Sequence, residues 1–86
     1  MIGNLAVSLA GHDKTQIYLI IREDGEYVYL CDGRLKTTGN PKRKNKKHIQ
    51  IIKKGTDREL TERLLKGEPV RDEEIKTTIK RYEGRQ

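Results

Sequence analysis

The chain has no tryptophan and no phenylalanine, and only one cysteine, one methionine and two prolines. With aromatic residues limited to Tyr18, Tyr27, Tyr29 and Tyr82, any core must be aliphatic, built from Ile, Leu and Val. The lone Cys31 excludes an intramolecular disulfide and a cysteine-rich zinc site; a small, half-buried side chain in a reducing compartment is the expected role. Apolar runs stop at five residues, against the roughly 20 that a membrane-spanning helix needs, and the mean hydropathy is −0.90. No membrane segment is expected. The opening residues MIGNLAVSLAG lack a basic flank and are interrupted by Asn4 and Ser8, so a secretory signal is not expected and the cytoplasm is the default location.

Acidic residues are missing altogether from 34–54, which holds nine of the 19 basic residues: Arg34, Lys36, Lys42, Arg43, Lys44, Lys46, Lys47, Lys53 and Lys54. The remainder sets ten basic residues against all 13 acids, a net of −3, so the overall charge of +6 is a +9 zone on a mildly acidic body. Such a distribution is the electrostatic footprint of a polyanion binder. At 86 residues the chain suffices for one small domain, whose core supplies roughly 3–5 kcal/mol.

Read along its length, the chain opens with a strand, LAVSL at 5–9, running into a tight loop at 10–14 in which Gly11 is free to take positive φ. The run IYLII at 17–21 is rich in β-formers and too short for a helix. An Asp-Gly turn at 24–25 then leads into a returning strand, YVYLC at 27–31. Asp32-Gly33 repeats the turn signal, and RLKT at 34–37 alternates as a further edge strand would. TGNPKRKNKK at 38–47 carries Gly39, Asn40 and Pro41 and no apolar residue, which predicts a solvated loop. HIQII at 48–52 gives a last strand with Ile49 and Ile51 on one face. After Gly55 the period becomes helical: Thr56 and Glu59 fit a capping box, Leu60, Leu64 and Leu65 form a narrow stripe, and Gly67 and Pro69 end the helix. A second helix over 72–82 has acids in its first turn and Lys80 and Arg81 in its last, with Ile75, Ile79 and Tyr82 facing inward and Val70 and Ile75 spaced as a hydrophobic staple. Arg71 is a poor N-cap. The expected fold is mainly β, a small half-open barrel of about five strands over 1–54 with a basic loop at 38–47, and a pair of short helices over 55–86 packed against it.

In the segment PKRKNKK at 41–47, Lys42, Arg43, Lys44, Lys46 and Lys47 can each neutralise a phosphate and release a counterion. The competing reading is a solvated charge run; a nuclear import signal is a third. The absence of acids over 21 residues, which solubility does not require, favours phosphate. Arg34 can clamp a phosphate or stack, and Asn45 and His48 can reach base edges or ribose hydroxyls, although shaping a turn and beginning a strand are their plainer uses. Lys36 lies within the same acid-free zone. Gly11, His12, Asp13 and Lys14 form the second candidate contact, a loop with exposed backbone N–H groups that serves equally well as a plain hairpin turn. Tyr27 and Tyr29 share a strand face and have the shape to stack on bases; packing is the commoner use of such tyrosines, and they stand outside the candidate site. No Cys-His or Ser-His-Asp grouping and no phosphate-binding G-x-x-x-x-G-K-[ST] loop occurs, and His12 and His48 lack nearby cysteines. Neither catalysis, a cofactor, a metal nor a small-molecule substrate is expected.

VSLAGHDK at 7–14, followed by a strand, resembles the KOW motif of ribosomal proteins and transcription elongation factors. DGRLKTTGNPKRKNKKHIQ at 32–50 is similar to the DG…P-K-x-K-N-x-K-H pattern of small bacterial KOW-domain RNA-binding proteins, relatives of archaeal and eukaryotic large-subunit ribosomal proteins. The resemblance covers nearly the whole chain, including a helical tail with D-E-E-I-K. It implies an SH3-like β-barrel and RNA binding to structured ribosomal RNA; a cytoplasmic, ribosome-associated protein that is monomeric when free is expected. The alternative is a protein-interaction KOW module of the transcription or translation machinery, with the partner on the helices instead of on 34–54.

Overall fold

The run at 17–21 is apolar at every position, and a strand buried on both faces needs two covering layers. A computed structural model, which describes residues 1–11 and 16–84, shows both. Among the described residues the chain forms β1 (Leu5–Ser8), β2 (Ile17–Asp24), β3 (Tyr27–Cys31), β4 (Lys42–Asn45), one turn of 3₁₀ helix (Lys46–His48), β5 (Ile49–Ile52), α1 (Arg58–Leu65) and α2 (Asp72–Glu83). The strands make one antiparallel sheet in the order β4-β3-β2-β1-β5. It is open: β4 and β5 are its two edges.

Those edges are nevertheless joined by only the three residues of the 3₁₀ turn. In a flat sheet of five strands the outer two stand about 19 Å apart, and three residues of 3₁₀ helix rise only about 6 Å. The sheet therefore coils until its edges converge at this end. Its concave side encloses Ala6, Tyr18, Ile20, Val28, Leu30 and Ile49, with Ile51 packed against them. All come from the strands, and Ala6, Ile20, Val28 and Leu30 are fully buried. On the other face Leu5, Leu19 and Cys31 pack against Leu60 of α1 and Ile75 and Ile79 of α2. The helices thus share a core with the sheet, and Cys31, expected to be half-buried, is completely enclosed.

The turn chemistry explains most of the boundaries. Gly25 takes φ 60° at the first position of the two-residue hairpin loop, and Glu26 stays at negative φ, the pattern of a type II′ turn. Asp57, rather than the expected Thr56, caps α1: its carboxylate accepts from the Leu60 N–H at 3.1 Å and also meets Arg81 of α2 at 3.5 Å. Arg71 offers α2 no side-chain cap; instead the Glu74 carboxylate reaches back to accept from the Arg71 N–H at 2.9 Å. Glu74 also takes a bidentate pair from the Arg63 guanidinium, tying α2 to α1.

Two further expectations are overturned. RLKT at 34–37 is not a strand: the Asp32 carboxylate accepts from the N–H of Arg34 at 2.8 Å and of Lys36 at 3.0 Å, withdrawing donors that a ladder would use. Leu35, whose alternation suggested a buried face, is 84% exposed. Within this turn Gly33 has φ 79°, and a Cβ there would collide with the Asp72 carbonyl oxygen at the start of α2. The interval 38–47 is likewise not a solvated loop, because Lys42–Asn45 pairs with β3 as the sheet's edge. A strand needs no apolar residue when its backbone groups find a waiting edge, and the lysine stems cover apolar surface while their heads stay wet.

Candidate functional site

Edge strand β4 alternates its side chains between the two faces of the sheet. Lys42 and Lys44 lie opposite Leu30 and Val28 on the concave side, whereas Arg43 lies opposite Tyr29 on the convex side. Lys44 extends its ammonium to the Ala10 carbonyl at 3.1 Å. This contact brings the basic segment against the loop that begins beyond β1, so the two stretches singled out in the sequence meet at Ala10. Gly11 is exposed and takes φ 88°; His12, Asp13 and Lys14 lie outside the described residues.

The one-turn helix positions the next cations. The Asn45 side chain accepts from the Lys47 N–H at 2.9 Å, so it shapes this turn. Lys46 pairs with Glu23 at 2.9 Å, and the same carboxylate takes the N-terminal ammonium at 2.9 Å. These hydrogen bonds, from Lys46 first and the N-terminus second, hold the Glu23 carboxyl down at about 2, well below its ordinary 4.5. Lys47 and His48 are exposed, and the His48 carbonyl accepts from the Leu9 N–H at 2.8 Å, fastening the turn to the loop after β1. Arg34 is exposed and Lys36 half-buried on the Asp32 turn. Lys53 and Lys54 follow the far end of β5, about 13 Å along the strand from His48, and belong to a different part of the surface.

The acid-free zone is thus divided by its contacts. Lys44 and Lys46 have structural work, Asn45 caps a turn, and Arg34, Arg43, Lys47 and His48 are exposed on the surface. A mobile ligand with phosphate spacing can meet the exposed cations without dismantling the fold.

The sequence reading passed over a second arrangement on the convex face. Arg22, Tyr29 and Arg43 are direct cross-strand partners on β2, β3 and β4. The Arg22 guanidinium stands over the Tyr29 ring at 4.1 Å and that of Arg43 over Tyr27 at 4.5 Å. A bulge at Ile21 makes this possible, since Ile20 pairs with Leu30 and Arg22 with Tyr29. Were Ile21 paired regularly with Tyr29, Arg22 would oppose Val28 and aim into the concave core. The tyrosine spacing was legible; the bulge had no signal in the sequence.

Elsewhere, a shallow cleft of about 300 Å³ lies between the helices, lined by residues including Asp57, Arg63, Glu74 and Arg81. Its charges are largely satisfied by one another. The described residues contain no group of three side chains suited to a metal and no helix long and apolar enough to cross a membrane. No protein-family model matches the chain, and no curated protein is significantly similar to it in sequence.

Proposed function

We propose that the chain is a KOW-type RNA-binding protein with an SH3-like barrel, ribosome-associated, and that it docks on structured ribosomal RNA. The contact surface is the edge formed by β4, the 3₁₀ turn and the loop after β1. One observation carries this reading: the acid-free segment is held as a hydrogen-bonded sheet edge against the loop after β1 at Ala10. Cations on an ordered edge meet phosphates with little further loss of conformational freedom. The coiled sheet with converging edges supports the barrel, and the resemblance of 7–14 and 32–50 to KOW proteins supports RNA as the polyanion.

Four phosphate contacts among the cations of that edge, Arg43 and Lys47 first, give a slope of log K against log salt of about −3.6 on a duplex. Titration of a structured ribosomal RNA fragment at several salt concentrations measures it, and sucrose-gradient sedimentation of tagged protein at low and high salt tests the ribosome. A slope near zero refutes the reading and moves the partner to the helices, as a protein-interaction module requires.

A further inference from the structure

The row Arg22, Tyr29 and Arg43, with Tyr27 beside it, continues the sheet face that α1 and α2 cover further along, but here nothing among the described residues covers it. Neither ring belongs to either apolar cluster, and Tyr27 is 37% exposed. Nor does a carboxylate pair with Arg22 or Arg43 among the described residues; Asp24, opposite Tyr27 in register, makes no ion pair with them. A packing role therefore accounts poorly for the group, and so does a salt-bridge role.

Its chemistry suits one occupant. A guanidinium stacked on a ring keeps its in-plane N–H groups for a phosphate and turns its second flat face outward, where another planar group can stack. The tyrosines already order both guanidiniums, which lowers the entropy lost on binding. Tyr27 and Tyr29, two residues apart on one face, are separated by about 6.8 Å along the strand, twice the 3.4 Å rise per nucleotide of a nucleic acid strand. We propose that the Arg22–Tyr29 and Arg43–Tyr27 stacks form a platform for two unpaired nucleobases of an RNA whose backbone runs along the β4 edge. A fully paired helix hides its base faces and cannot use such a platform. This rests on the RNA-binding reading above and adds to it a requirement for unpaired nucleotides.

The test uses two RNA probes on the full chain: a closed stem, and the same stem with a single-stranded overhang. The wild-type protein should bind the overhang probe more tightly. Tyr27→Ser and Tyr29→Ser should each weaken that binding roughly 5- to 150-fold, the range for loss of one stacked base, and leave the closed stem within about twofold, while Tyr27→Phe and Tyr29→Phe retain it. Because Tyr29 is half-buried, a second readout is independent of any loss of fold: Tyr27→Trp places one tryptophan in a chain that has none, and its fluorescence should be quenched by the overhang probe and not by the stem. If both probes bind equally, serine changes nothing and the tryptophan signal is unmoved, the platform is refuted and RNA binding stands. If neither probe binds, both readings fall together.

Discussion

Replacing Lys42, Arg43, Lys44, Lys46 and Lys47 together by Gln separates an edge strand from a loop. On a solvated loop the five changes would leave stability within about 0.5 kcal/mol. On β4 they remove three defined contacts. Loss of the exposed Arg43 stack on Tyr27 costs about 0.5–1 kcal/mol. The partly exposed Lys46–Glu23 pair contributes about 0.2–1 kcal/mol. The Lys44 hydrogen bond to the Ala10 carbonyl adds about 0.5–1.5 kcal/mol, part of which a glutamine amide can recover. The variant should therefore lose about 1–3 kcal/mol, a large share of what so small a core supplies, yet remain folded because no buried apolar group changes. Urea melts by circular dichroism give the first quantity and RNA anisotropy under native conditions the second, which should fall by far more than the lost stability explains. A melt indistinguishable from the parent's would refute the side-chain anchoring of β4. Undiminished RNA affinity would refute the contact surface.

The edge strand at Lys42–Asn45, in a stretch whose pattern reads as a loop, marks where sequence patterning succeeds and where it stops. Strands that bury side chains announce themselves: β3 has the bounds its sequence suggested, and Ile49 and Ile51 fall on one face as their spacing indicates. Hydrophobic period reports burial, and Lys42–Asn45 buries no apolar residue. It becomes a strand because β3 presents unpaired backbone groups, a property of another segment. The reverse error at 34–37 has a local cause: Leu35 supplied the alternation, but the Asp32 carboxylate had already claimed two of the N–H groups. Thr56 and Asp57 are equally able caps, and packing decides between them, since Asp57 is the one that also meets Arg81 of α2. For the site, charge was legible because it is a sum over residues. The convex row was not, because its membership depends on a bulge at Ile21 that reverses the facing of Arg22.

Leu30 is fully buried on the concave side, so Leu30→Ala should cost about 2–5 kcal/mol, lowering the melting temperature steeply and abolishing binding only through unfolding. Cys31 is buried with its thiol donating to the Thr37 carbonyl at 3.2 Å, and burial, aided by Asp72 and Asp32, pushes it up to about 12; thiol reagents at pH 8 should react only after urea is added. The last prediction concerns acid. The Arg63 guanidinium and then the Arg71 N–H hold Glu74 down at about 2, and Lys46 and the N-terminus do the same for Glu23. Both carboxylates bind protons more weakly folded than unfolded, so unfolding takes protons up and stability rises with pH between the two values. Their contribution is complete above about 4.5 and disappears as pH falls through about 2. Melting temperatures should accordingly be flat from pH 7 to 5 and decline from pH 4.5 to 2. The double variant Glu23→Gln, Glu74→Gln should start lower at pH 7 and decline less, because the helix-to-helix and strand-to-terminus contacts it lacks can no longer be titrated. Parallel declines in parent and variant would place the acid sensitivity in other carboxylates and refute this assignment.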